Sequence, residues 1–385
     1  MERQASMRIL YVGWVGYGNL GDDLCRDLFI HHVRESLDPR GIEAEIRTAS
    51  HRGISKEALL EFHPHLVVLG AGSLMTLHYL QPIILAQAHG IPTITWGTGF
   101  DKLSKQHLYE LLMGARRLSF WQDQGLADTF RRAIDGCRWA GVRGPHTLRL
   151  LQAAGCASPS LHVSGDPGLC LEPPSTPEEL PPALSDSSEW TEALEWLNAH
   201  DAVVGVNWGT ANNHVFGGDE LGVQRGLEAV ISRLLRRSYK ILLFAVWGPD
   251  LLPLRRLAAR FQSEPGVKLL RRVPPGPLLA WMLHRCRFTI NFKLHANVFT
   301  AAAGRPFVSL AYRSKCYDFA ASLGLERLVV PFDQPDLPDA VLSACDTIER
   351  REQTIVRGIQ KHKRQYRSRL NALIQHIAAL HEEES

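Results

Sequence analysis

The feature that most constrains this chain is a rhythm. MRILYV, HLVVLGAG and IPTITWGTG are short apolar runs, and amphipathic stretches such as DDLCRDLFIHHVRESL and YLQPIILAQAHG lie between them. Strands that alternate with helices return to the sheet by crossovers, so the pattern predicts an α/β fold with parallel sheets flanked by helices. In the first predicted helix Phe29, Ile30, Val33 and Leu37 share one face, as packing on a sheet requires. Three strands end in glycine turns, at Gly13, Gly70 and Gly97. In a doubly wound sheet such turns lie at the carboxyl ends of the strands, where ligands bind.

The rhythm stops at LEPPSTPEELPPALSDSSEW, Leu171 to Trp190, and resumes with AVVGVNWG, VQRGLEAVISRLLRR, KILLFAVWG, HANVFTAAAG and FVSLAY. A chain of 385 residues is long for one core. The reading is therefore an N-terminal Rossmann-like domain over 1–172, a linker or surface excursion over 173–198, a C-terminal Rossmann-like domain over 199–345, and a basic helical segment over 346–385. The two domains are expected to face each other across a cleft. In the last segment Ile359, Tyr366, Leu373 and Leu380 form a near-heptad stripe, which predicts a docked helix. Its run of Lys and Arg from Arg350 to Arg369 suits either a solvated helix face or peripheral association with an anionic membrane.

Composition narrows the function. An apolar fraction of 45% and a charged fraction of 22% are those of a soluble globular protein, and no run is long and apolar enough for a membrane span. The N-terminus reads as a first strand and not as a secretory leader, so a cytoplasmic location is expected. A net charge of +3 with no nucleic-acid motif argues against a nucleic-acid partner. Seven cysteines without CxxC spacing read as reduced thiols. His31, His32, His63 and His65 lack metal-ligand partners at useful spacing, and neither HExxH nor GxSxG occurs, so no metal and no nucleophile elbow is expected.

Three constellations could carry chemistry. In NFKLHANVFTAAAGRPFVSLAYRSK, His295 falls at the start of a small-residue helix at a strand's carboxyl end, and the next strand runs into Arg313 and Lys315. Neighbouring positive charge makes an imidazolium a stronger acid, as a proton donor needs. A helix-capping role for His295 is the alternative. In AGVRGPHTLRLLQAAG, Arg143 precedes a helix that opens on Pro145, so it reads as a carboxylate or phosphate clamp or else as a structural ion pair. In GYGNLGDD, Gly16, Gly18 and Gly21 fit GxGxxG only loosely, and Asn19 and Asp22 suit sugar hydroxyls; Asp22 can also cap the helix that follows. In NWGTANNH, Trp208, Asn212, Asn213 and His214 could line a sugar site or form a plain loop.

Taken in order, GYGNLGDDL, GAGSL, GVRGPHTLRLLQAAG, SGDPGL and KLHANVFTAAAGRPFVSLAYRSK resemble the polysaccharide pyruvyl transferase family over most of the chain. The resemblance implies a fold like that of GT-B glycosyltransferases. It also implies transfer of a pyruvyl group from phosphoenolpyruvate (PEP) to two hydroxyls of a sugar, glycan or lipid-linked oligosaccharide as a cyclic ketal, with PEP as donor substrate and no cofactor. The family's PEP-site residues carry over to Arg143, His295 and Lys315; by their charge Arg313 and Lys293 are also assigned to PEP binding. Lys293 stands where many relatives have Arg; it keeps the charge but loses a bidentate fork. Gly16, Gly18, Asn19, Gly21, Asp22, Gly72, Ser73, Asn207 and Trp208 are assigned to the acceptor side. The alternatives are a nucleotide-sugar glycosyltransferase, whose Glu-x7-Glu pair Glu326 and Asp333 do not match in spacing, and a non-catalytic glycan binder on the same fold.

Overall fold

A computed structural model describes residues 5–49, 54–176, 179, 188–212, 216 and 219–384. Much of the predicted linker, and Asn213 and His214 of the NWGTANNH loop, lie outside these residues. The chain forms two compact units. The first comprises 1–17, 22–167 and 364–385, and the second 18–21 and 168–363. The segment Gly18–Gly21 thus groups with the second unit, and the C-terminal stretch is divided between the two.

The first unit is built on a six-stranded parallel sheet: β1 (Ala5–Val12), β2 (Ile42–Ala49), β3 (Leu66–Leu69), β4 (Thr93–Thr98), β5 (Trp139–Val142) and β6 (Leu161–Val163), in the order β2-β1-β3-β4-β5-β6. Every residue of β3 and β4 is buried, as expected for central strands covered on both faces. Helices start where a side chain satisfies their first backbone donors: Ser55 accepts from Ala58 N–H, Ser104 from His107 N–H and Asp123 from Leu126 N–H. The chain reverses direction across the sheet between β1 and β3, so the turns at Gly13 and Gly70 flank the switch point.

The second unit repeats the plan with β7 (Val203–Asn207), β8 (Lys240–Phe244), β9 (Val267–Leu269), β10 (Phe288–Asn291), β11 (Phe307–Ala311) and β12 (Val329–Pro331), ordered β12-β11-β10-β7-β8-β9. All its strand pairs are parallel. Here the switch point lies between β7 and β10. The expected architecture of two parallel sheets flanked by helices is therefore the one observed.

The C-terminal stretch is one helix, Leu337–Glu384, with a kink at Arg351. The predicted stripe is buried: Ile359, Tyr366, Leu373 and Leu380 are at most 5% exposed. Part of its basic character serves packing. Lys363 Nζ donates to Ala302 O at 2.5 Å, and Arg369 donates to Val163 O. Arg357, Lys361, Arg364 and Arg367 are exposed. All seven cysteines are buried without disulfides, and no helix among the described residues is long and apolar enough to cross a membrane.

Candidate active site

The second unit's switch point is built from the inside out. β10 is buried along its length, and the helix after it, Leu294–Ala302, is buried on every side. The helix is pinned by Thr300 Oγ1, 2.9 Å from Thr289 Oγ1, and by Asn297, whose Nδ2 donates to Ser309 Oγ on β11 at 2.8 Å. The turn between strand and helix is held by Asn207 at the end of β7. Its Oδ1 accepts from Lys293 N–H at 2.9 Å and its Nδ2 donates to Phe244 O at 3.0 Å.

Asn207 is therefore a framework residue. It is fully buried with both ends of its amide engaged, and Trp208 is 1% exposed with its ring 5.0 Å from that of Phe292. Both side chains, assigned to the acceptor side from their position after a strand, are buried in this turn.

His295 opens the helix on this rigid base. It is 8% exposed, and its Nδ1 lies 3.2 Å from Oδ1 of Asn19. Asn19 and its neighbours are seated by main-chain pairing, through an antiparallel bridge to Trp247 and a Leu20 N–H donated to Val246 O at 3.1 Å. Gly21 lies directly against the imidazole. A Cβ there would fall 2.0 Å from His295 Cγ, so no side chain fits. The glycine-rich loop was assigned as a whole to the acceptor; in the structure its segment Gly18–Gly21 belongs to the second unit, and Asn19 and Gly21 contact the candidate proton donor.

Three cations gather near this helix N-terminus. Arg313 is the N-cap of the helix Ser314–Ser322 and Lys315 lies in its first turn; their cationic groups are 5.3 and 5.5 Å from the Tyr312 ring. Lys293 is mostly buried and has a counter-charge: its Nζ is 3.2 Å from Asp250 Oδ1, 2.5 Å from Thr210 O and 4.9 Å from the Trp247 ring. Burial holds the Lys293 ammonium below its ordinary range; Asp250 opposes this, and the charges of Lys315 and Arg313 add to it. Lys293 is thus engaged in an ion pair that fastens the turn after β7.

Asp250, which sequence reasoning missed, is fully buried, with Oδ1 also accepting from Thr210 N–H at 3.0 Å. The signal was present in WGPD, another strand-end turn on the same sheet edge. Burial pushes its carboxyl up to about 6, against the pull of Lys293 and the Thr210 N–H. The folded protein therefore binds a proton here that the unfolded chain releases near pH 4. The stability from this group is full below that pH and is lost as pH rises through about 6. Relative to Asp250→Asn, which cannot titrate, the wild-type Tm is expected to fall between pH 4 and 6; a constant difference across that window contradicts the assignment.

The first unit holds the remaining candidates. Arg143, at the end of β5, is fully buried, and its Nη1 and Nη2 donate to Gly72 O at 3.3 Å and Phe100 O at 3.1 Å. It thereby ties together the turns after β3 and β4. Arg143→Lys keeps the charge but cannot span both carbonyls; Gly72 O still accepts from Gly99 N–H, so the loss falls on Phe100 O and is expected to cost about 1–3 kcal/mol. Chemical denaturation reads this directly, and unchanged stability would make Arg143 a ligand-binding residue only.

Gly72, at φ +113°, brings its backbone against Asp22, whose Oδ1 would lie 2.8 Å from any Cβ placed there. Asp22 is 7% exposed, and Ser73 is half-buried. Gly16 is exposed and donates its N–H to Asp23 Oδ1 at 2.8 Å, while Gly18 is exposed with φ +66°. Two features here went unread in the sequence. Trp14 and Tyr17 pair with ring centroids 4.5 Å apart, and the Tyr79 hydroxyl is pushed up to about 12 by burial and by the charge of Asp22. Contrary to expectation, His31 and His32 do have a possible co-ligand: Glu35 Oε2 lies 3.7 and 3.4 Å from them, at ordinary intrahelical spacing.

Comparison with known proteins agrees with this architecture. UDP-GlcNAc 2-epimerase from Neisseria meningitidis bound to UDP-GlcNAc superposes with a TM-score of 0.56 at 13% identity, over 92% of this chain and 94% of that one. The α,α-trehalose 6-phosphate synthase of Burkholderia multivorans gives 0.54 at 12% identity, over 97% and 99%. The UDP-GlcNAc 2-epimerase of Methanocaldococcus jannaschii gives 0.53 at 11%, over 89% and 92%. At such identities the likeness is one of fold, that of GT-B epimerases and glycosyltransferases. A search among curated proteins finds no match by sequence. The sequence model of polysaccharide pyruvyl transferases matches residues 19–314, from the loop that seats His295 to the helix that bears Lys315, and the chain belongs to the polysaccharide pyruvyl transferase family.

Proposed function

We propose that this family member moves the pyruvyl group of PEP onto two hydroxyls of a sugar in a polysaccharide, glycan or lipid-linked oligosaccharide, forming a cyclic ketal and releasing phosphate. The observation that carries the reading is His295, held at a buried helix N-terminus in the unit that also carries Arg313 and Lys315. An enol phosphate needs a proton at its methylene carbon and a place for its negative charge, and such a site offers both.

In this reading Arg313 and Lys315 bind the phosphate and carboxylate of PEP, with the helix N-terminus contributing its dipole. Arg143 belongs to the same proposal through the family motif; a guanidinium has five N–H donors, enough to hold two carbonyls and an anion together. His295 protonates C3 of PEP, and an oxocarbenium-like centre forms at C2. A sugar hydroxyl adds to C2 and loses its proton to a base. The C2–O bond to phosphate then breaks, a neighbouring hydroxyl closes the ring, and its proton also departs. The residues themselves supply the proton and the charge, so the scheme calls for no cofactor. Asp22, Ser73 and the Trp14–Tyr17 pair are proposed for the acceptor, because carboxylates and hydroxyls match sugar hydroxyls and aromatic faces match sugar rings.

Calorimetry with PEP and with UDP separates this reading from its rival. PEP binding that weakens when Arg313 and Lys315 are replaced by Ala supports pyruvyl transfer. Binding of UDP with no binding of PEP supports a nucleotide-sugar enzyme, the class to which the UDP-GlcNAc-bound epimerase belongs.

A further inference from the structure

We infer that Asn19 is a positioning residue for His295, holding the imidazole with its proton on Nδ1 so that Nε2 is the nitrogen that delivers the proton to substrate. The inference rests on the proposed role of His295 as proton donor and departs from the view of Asn19 as a sugar ligand.

The identity of one atom decides the hydrogen-bond pattern. An Asn side chain offers an acceptor oxygen and a donor nitrogen, and the hydrogen-bond network decides which end faces where. At Asn19 a backbone N–H settles the matter: Gly21 N–H points at Oδ1, 3.3 Å away. That same oxygen lies 3.2 Å from His295 Nδ1. An oxygen that accepts from Gly21 can only accept from the ring as well, so Nδ1 carries a hydrogen. Both remaining constraints act on the same ring. Gly21 forms a flat backbone surface against Cγ, where a Cβ would come within 2.0 Å. The segment that presents Asn19 and Gly21 is itself pinned by the Asn19–Trp247 bridge and the bond from Leu20 N–H to Val246 O.

The consequence is chemical. An imidazolium held this way keeps its Nδ1 proton on Asn19 and loses the Nε2 proton to the methylene carbon of PEP. The neutral ring left behind is already the Nδ1–H tautomer, with no rearrangement of the hydrogen bond. An amide suits this work because its oxygen orients the ring without adding a charge beside the bound anion.

The test uses the full-length protein with 15N-labelled histidine and reads the His295 ring by long-range 1H–15N correlation, without substrate, His295→Gln providing the assignment. Wild type is expected to show neutral His295 as the Nδ1–H tautomer. Asn19→Ala is expected to shift it toward the Nε2–H tautomer and to lower kcat by about 10- to 100-fold with little change in KM for PEP, the size typical of losing a supporting partner of a functional histidine. Asn19→Asp, which keeps an acceptor oxygen, is expected to retain the Nδ1–H tautomer and guards against misfolding of the alanine variant. A wild-type tautomer and wild-type kcat in Asn19→Ala overturn the inference. The spectrum stands apart from the reaction: an Asn19-dependent tautomer in a protein that does not turn over PEP upholds the positioning and removes the proposed chemistry.

Discussion

Replacing His295 with alanine is expected to lower PEP-dependent transfer by about 10³-fold, within the range that a positioned general acid contributes. The loss should fall on kcat. The cations assigned to the anion, Arg313 and Lys315, lie on the helix that starts at Ser314 and are untouched by the change, so PEP affinity should stay within a few-fold. Steady-state kinetics with a phosphate-release readout distinguishes this from a binding role: a raised KM with kcat preserved would place His295 among the ligands of PEP and leave the proton donor elsewhere.

The second large effect requires only one methyl group. Gly21→Ala places a Cβ 2.0 Å from His295 Cγ, and Cγ is fixed close to a backbone that is buried on all sides. Neither partner can yield by a small rotation. The imidazole must leave its position, or the Gly18–Gly21 segment must detach from Val246 and Trp247. Such overpacking costs about 1–3 kcal/mol and displaces a reacting group by more than the 1 Å that costs about 100-fold in rate. The variant is expected to retain most of its stability while losing about 100-fold or more in kcat. Wild-type kinetics in Gly21→Ala would show that His295 is not held as described.

The comparison of these two positions shows what was legible in the sequence. Local pattern suffices for His295: a strand, a turn, a helix of small residues and a closing Gly304 place it at a helix N-terminus. The observed helix, Leu294–Ala302, has His295 as its second residue. The two sheets were readable for the same reason, since each βα unit carries its own period. The contact between Asn19 and His295 was not, because 276 residues separate them and the loop's glycines are compatible with a sugar site, a phosphate site or a tight turn. Lys293 gives a similar lesson. Its position beside His295 suggests a substrate cation, and nothing local reveals that Asp250 is buried within 3.2 Å of it. For Asn207 the strand's carboxyl end is legible in the sequence, while the partners of its amide, Phe244 O and Lys293 N–H, lie 37 and 86 residues away and are not.

The family is established by the match over residues 19–314, and the donor and the product are the proposal. Mass analysis of the products formed from PEP with a panel of β-galactosides and lipid-linked disaccharides tests it most directly. The expected products are an acceptor that gains a pyruvyl ketal and one equivalent of phosphate per ketal, with loss of both in His295→Ala. An acceptor unchanged by PEP but glycosylated from a nucleotide sugar, at the same rate in wild type and His295→Ala, would contradict it.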